Sequence, residues 1–191
     1  RNSTLTGIQL DPLPKGNLLG TVMDACVPFS SEFKFISDSS SAAQIKTEWT
    51  INSTVTKSGK KFSYDFRIPG EYVIVGHLTD TATTCKNSLT YTVQAHEVPV
   101  ADFNYSPEHP VENMDEVVFS NTSSGAELSL CNWYFISNDG YRSSQNTTSY
   151  LFSDAGNYPV ALLVKNKWNC ADTIVKTIKV ETDFNVYVPN A

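Results

Sequence analysis

The side chains of this 191-residue chain that could do chemistry are few: four cysteines, three histidines, several Asn-x-Ser/Thr sequons and one acidic turn. Cys26, Cys85, Cys131 and Cys170 could bind zinc or close disulfides. Zinc lacks a ligand set, because no Cys-x-x-Cys occurs and His77, His96 and His109 are scattered. Disulfides fit better. Four cysteines allow three connectivities, and two cysteines fall in each half, so pairing within each half is the simplest. Loops of about 40–60 residues would contribute roughly 4 kcal/mol each in the chain-entropy model. Such bonds would imply an oxidising compartment, and four reduced thiols are the alternative.

The remaining candidates are loop residues. Asn138-Asp139-Gly140 with Asp154 offers oxygen ligands of the kind calcium takes, but Asn-Asp-Gly is also an ordinary turn, and the turn is the favoured reading. No metal is therefore expected. Trp168 lies in Asn166-Lys-Trp-Asn-Cys170, and Tyr141 follows the Asn-Asp-Gly turn. Exposed, these aromatics could stack on sugar rings or anchor a protein; packing against the Cys170 region is the alternative for Trp168. Sequons stand at Asn2, Asn52, Asn104, Asn121 and Asn146, as chance allows in a chain so rich in Ser and Thr. Asp80-Thr81-Ala82 and Asp172-Thr173-Ile174 each set a hydroxyl beside a carboxylate, one residue before an apolar side chain. No nucleophile, base and orienting acid assemble from any motif, and the nine glycines are dispersed rather than forming a phosphate loop, so neither an enzyme nor a cofactor is expected.

The elements that must position these residues read as strands. Hydrophobic residues make up 40% of the chain and aromatics 12%, against 18% charged, with 21 Ser and 19 Thr. That balance supports a core and favours strands and turns over helices. The net charge of −6 argues against nucleic acid. It is unevenly spread: residues 1–97 carry nine basic and nine acidic groups, residues 98–191 five and eleven. The longest uninterrupted apolar run, Val160–Val164, is too short to span a membrane as a helix.

An internal repeat sets the organisation. Phe35 to Trp49 aligns without a gap on Phe119 to Trp133, and Phe66-Arg-Ile-Pro-Gly-Glu-Tyr72 on Phe152-Ser-Asp-Ala-Gly-Asn-Tyr158. A cysteine follows each of these glycines, Cys85 after Gly70 and Cys170 after Gly156. Alternating apolar and polar residues predict strands at Phe33–Phe35, Trp49–Ile51, Tyr72–Leu78 and Leu89–Val93. The second copy gives Val117–Phe119, Trp133–Phe135, Tyr158–Val164 and Thr173–Val180. Short strands at this spacing predict an all-β chain of two tandem sandwiches, residues 1–97 and 98–182, with Trp49 and Trp133 in the cores. Residues 183–191 read as an extended linker toward a missing C-terminal domain.

Val98-Pro-Val-Ala-Asp-Phe103, Ser106-Pro107, Trp133-Tyr-Phe135, Asn138-Asp-Gly140, Gly156-Asn-Tyr158 and Asn169-Cys-Ala-Asp-Thr173 together resemble the polycystic-kidney-disease (PKD) domain family, an immunoglobulin-like (Ig-like) β-sandwich. The family's Trp-Asp-Phe-Gly-Asp-Gly run is altered to Trp133-Tyr-Phe-Ile-Ser-Asn-Asp-Gly140, and the first unit keeps only Trp49, Gly70 and Tyr72 with the Cys26-Val-Pro28 opening. The cysteine-containing variety is similar to tandem domains of Bacteroidota secreted and cell-surface proteins. Val186-Tyr-Val-Pro-Asn-Ala191 resembles the segment that leads there into a gliding-motility-type (type B) sorting domain of type IX secretion. The resemblance implies a secreted or cell-surface, adhesin-like module without catalysis. Its partners would be proteins of the secretion or adhesion apparatus, or surface glycans. It also implies O-glycan acceptors at Thr81 and Thr173. A glycan- or protein-binding module, or accessory domains of a larger secreted hydrolase, are the alternatives.

Overall fold

The structure is a computed structural model that describes residues 11–38, 44–136 and 142–183. The chain divides into two units, Arg1–His96 and Glu97–Ala191. In the first, β1 (Gly16–Gly20), β3 (Phe29–Ser37) and β6 (Lys61–Phe66) form one sheet in the order β1-β3-β6. The facing sheet runs β2-β8-β7-β4-β5, from β2 (Asp24–Cys26), β4 (Ile45–Ile51), β5 (Val55–Ser58), β7 (Gly70–Asp80) and β8 (Lys86–His96). In the second unit, β9 (Phe103–Ser106), β10 (Glu116–Asn121) and β13 (Thr147–Leu151) form one sheet. The facing sheet runs β12-β11-β14-β15, from β11 (Leu128–Phe135), β12 (Arg142–Ser143), β14 (Gly156–Asn166) and β15 (Ala171–Val180). Each unit is a two-sheet, Ig-like β-sandwich, and the fold is all-β among the described residues.

Side-chain alternation explains the packing. Residues two apart along a strand share a face, so Ile45, Thr47, Trp49 and Ile51 of β4 all turn inward. Trp49 and Trp133 are fully buried, each in its own core, and each indole N–H is satisfied. Trp49 donates to the Gly59 carbonyl at 2.7 Å, Trp133 to that of Gln145 at 2.8 Å. An unpaired indole N–H in such a core would cost about 1–3 kcal/mol. The repeated Phe-x-x-x-Gly-x-Tyr motif is a corner. Tyr72 donates its hydroxyl to the Ile68 carbonyl at 2.8 Å, and Tyr158 donates to Asp154 at 2.7 Å. The rings rest on Phe66 and Phe152, with centroids 4.8 and 4.6 Å apart. Gly70 takes φ +147°, which an L side chain rarely adopts.

The cysteines depart from expectation. Cys26 and Cys170 are disulfide-bonded, but Cys85 and Cys131 carry free thiols, so the expected pairs Cys26–Cys85 and Cys131–Cys170 do not form. Register gives the reason. Cys26 pairs with His96 at the end of β8, while Cys85 precedes Lys86 at its start. Eleven residues of strand hold the two roughly 35 Å apart, against a bridging limit of about 7 Å between Cα atoms. Cys131 opposes Val164 on one side of β14, and Cys170 adjoins Ala171 on the other. Two strand spacings, about 10 Å, separate them.

Candidate functional site

The two hairpins β7–β8 and β14–β15 carry most of the residues singled out by the sequence, and they are built alike. At the end of β14, Asn166 is buried at 2% exposure. Its Oδ1 accepts from the backbone N–H of Trp168 (3.1 Å) and Cys170 (3.0 Å), and its Nδ2 donates to the Glu97 carbonyl at 2.8 Å. At the matching position of β7, the Asp80 carboxylate accepts from the N–H of Ala82 and Thr83. An Asx side chain that turns the chain back on itself suits a hairpin whose connection runs four or five residues.

This geometry places the candidates. Trp168 is half-buried, between the exposed and packed alternatives, and the Lys167 ammonium stands 4.5 Å from its ring centroid while bonding Glu127 at 2.6 Å. Thr81 is exposed in its turn, but its hydroxyl donates to the Gln44 carbonyl at 2.9 Å, and the neighbouring Asp80 carboxylate serves the turn. Thr173 is exposed on the outer face of β15, and Asp172 accepts the Ala101 N–H at 2.8 Å. The two Asp-Thr motifs therefore sit in unlike surroundings, one in a turn and one in a strand. Tyr141 and Asn138-Asp139-Gly140 lie outside the described residues.

The histidines are engaged singly. His77 lies between the hydroxyls of Thr50 and Ser88, 3.2 Å from each. His96 bonds the Asp24 carboxylate at 2.7 Å with only 11% of its side chain exposed, and His109 meets Glu181 at 3.6 Å. Pairing of β2 with the end of β8 partly covers His96. Among the described residues no three metal-ligating side chains converge.

Two features gave no sequence signal. Lys176 points between the sheets from β15. Its ammonium bonds Asp102 at 2.7 Å, donates to the Phe103 carbonyl and lies 4.9 Å from the Phe103 ring centroid. The Lys176 hydrogen bond and the Phe103 N–H hold the Asp102 carboxyl below the usual carboxylate range. The second is a polar hollow of about 480 Å³ lined by Asn121, Ser129, Leu130, Ser144 and Asn146, with Cys131 on its wall. Burial pushes the Cys131 thiol up, so it stays protonated at neutral pH, and its Sγ lies 3.5 Å from the Gln145 carbonyl. The hollow draws on β10, β11 and the stretch between β12 and β13, which only tertiary structure brings together.

No protein-family model matches the chain, and no curated protein matches it. Several solved structures are similar. One comes from a study of the promiscuous specificity of carbohydrate-binding modules from the β-sandwich superfamily. It is 31% identical over 44% of this chain and 35% of its own, with a TM-score of 0.40. This chain thus spans about a third of that structure's length. The PKD1 domain of Vibrio anguillarum Epp is 28% identical over 46% of this chain and 99% of its own, with a TM-score of 0.40. The fibronectin(III)-like modules of Clostridium thermocellum CbhA align over 92% of this chain and 100% of theirs at 10% identity, with a TM-score of 0.43.

Proposed function

We propose that the chain is a non-catalytic structural and interaction module of a secreted or cell-surface, adhesin-like protein, acting as a rigid spacer. The carrying observation is that each sandwich is self-contained, with its own core and its own hydrogen-bonded ends. The His96 carbonyl accepts the Val27 N–H within the first unit, and the next carbonyl, that of Glu97, accepts from Asn166 within the second. Val100 and Ala101 are likewise bonded to Ser124 and Asp172. Hydrogen-bonded backbone thus runs up to the joint within each unit, which supports the spacer reading. The oxidised Cys26 and Cys170 support an oxidising compartment. The tail Val186–Ala191 supports, by sequence resemblance alone, a Bacteroidota protein carrying a type IX sorting domain beyond it. The exposure of Thr81 and Thr173 supports O-glycan acceptors there, with the Thr81 hydroxyl having to leave the Gln44 carbonyl.

A binding module is the second reading, and the polar hollow beside Cys131 favours it. Amides and hydroxyls rimmed by Leu128 and Leu130 are groups that can meet the hydroxyls and the apolar face of a sugar. Small-angle scattering tests the spacer. The native chain should scatter as two bodies at one fixed separation, and a Gly-Ser insertion between His96 and Glu97 should spread the distance distribution. A native distribution as broad as that of the insertion would overturn the reading.

A further inference from the structure

The second unit has two outer faces of opposite character. On the four-stranded sheet, Tyr134, Ala161 and Val175 lie in one cross-strand row, flanked by Leu130, Leu163 and Ile136. Val175, Ile136 and Leu130 are 54%, 60% and 38% exposed. Ala161 is 6% exposed although it is no part of the core, so its neighbours on this face cover it. The charges standing on this face are basic: Arg142 over the Tyr134 ring at 5.3 Å, Lys165, and Lys179, which meets Glu181 just past the strand at 3.8 Å. The single acid within these four strands, Asp172, is taken up by the Ala101 N–H.

The first unit is an internal control. Its matching row is Thr50, Val75 and Thr90, followed by Glu48, His77 and Ser88. The same architecture there carries hydroxyls and mixed charge. The fold does not require an aliphatic face with a basic rim, so its presence in the second unit calls for a partner.

The complement is on the same unit. The outer face of β9-β10-β13 exposes Val118 (40%) and Leu151 (49%) around Glu116, which opposes Leu151 across the strands and accepts from Ser149 at 2.6 Å. These three strands contain no Lys, Arg or His. One face is thus aliphatic with basic side chains, the other aliphatic with a single carboxylate, Glu116, and no cation. Packing the basic face on itself would bring two basic rims together, and like-charge juxtaposition is costly.

We propose that the four-stranded outer face of one copy packs on the three-stranded outer face of a second copy, so that the second units associate laterally and head to tail. A heterologous contact of this kind leaves an unused face at each end and extends beyond a dimer. The smaller face, three strands about 4.8 Å apart and about five residues long, spans roughly 240 Å², below the size of stable specific interfaces, so the contact is a weak and transient one. The association therefore belongs to high local concentration, as on a crowded surface. It stands whether or not the joint between the units is stiff.

Sedimentation of the whole chain from micromolar to near-millimolar concentration tests this, together with Val175→Glu and Leu151→Lys. Both substitutions fall on exposed side chains, and each spoils one face while leaving the other intact. Wild-type mass should climb without a plateau at dimer, and more steeply at low salt. Each variant alone should lose self-association at least tenfold, while an equimolar mixture should plateau at dimer, because each variant still supplies one good face. Thr177→Glu, on the same outer face, replaces Val175→Glu should that variant not fold by circular dichroism. A wild type that stays monomeric throughout would overturn the proposal. So would a dimer plateau sensitive to Val175→Glu alone, which would mean symmetric pairing, or association that both variants retain.

Discussion

Truncating Asn166 to alanine removes three hydrogen bonds at one buried point. Its side chain holds the N–H groups of Trp168 and Cys170 and the carbonyl of Glu97, at 2.8–3.1 Å. Alanine leaves all three backbone groups without these partners around a side chain only 2% exposed. At about 1 kcal/mol for each bond, the loss is roughly 3 kcal/mol, and more if water cannot reach the site. Asp80 is the natural control. It occupies the matching position and accepts two hydrogen bonds, one exposed and one partly buried, so Asp80→Ala should cost only about 1 kcal/mol. Native-state amide exchange followed residue by residue separates the units, which a single unfolding curve would blur. A 3 kcal/mol loss corresponds to an acceleration of roughly a hundredfold for core amides of the second unit, such as those of Val160 and Leu162. Amides of the first unit should be unmoved. An acceleration below tenfold, or equal effects of Asn166→Ala and Asp80→Ala, would refute the claim that burial makes the second turn the costlier one to break.

Two further outcomes are expected. The lowered carboxyl of Asp102 stabilises the fold above its unfolded pKa of about 3.9, and that contribution is lost as pH falls through the folded value. Asp102→Asn should therefore lower Tm by a constant amount at neutral and alkaline pH, with the difference from the native chain shrinking as pH falls through the folded value; a parallel shift at every pH would contradict this. For the cysteines, alkylation in denaturant without reductant should label two thiols, at Cys85 and Cys131, and four after reduction. In the native state half-buried Cys85 should react first and buried Cys131 only on opening; labelling at Cys26 without reductant would show the bonding assignment to be wrong.

The central strands were legible because both faces of a half-buried strand write themselves into alternation. Every predicted strand, from Phe33–Phe35 to Thr173–Val180, lies within an observed one. The edges were not. Gly16-Asn-Leu-Leu-Gly20 contains two glycines and no β-branched residue, and it is a strand only because β3 offers it a ladder from Gly16↔Ser37 to Gly20↔Phe33. The three residues of β2 likewise exist through parallel pairing with β8. The repeat located Trp168, Cys170, Thr81 and Cys85 at hairpin ends. It did not reveal that Asn166 and Asp80 build those ends, because an Asx residue after an apolar run is a common turn former with no partner named in the sequence.

Composition, period-two alternation and the internal repeat determined by themselves that this is an all-β chain with two copies of one unit and a tryptophan in each core. Those signals are local, since each residue's neighbours two positions away report its face. Tertiary structure alone decided which cysteines remain thiols, because bridging depends on strand order and register. It also decided that Lys176 points inward to Asp102, and that the outward positions of the second unit gather one aliphatic face with basic side chains and one aliphatic face with a single carboxylate. Outward residues carry no periodic constraint of their own. Their meaning appears only when the sheet sets residues such as Tyr134, Ala161 and Val175, separated in sequence by a dozen residues or more, side by side.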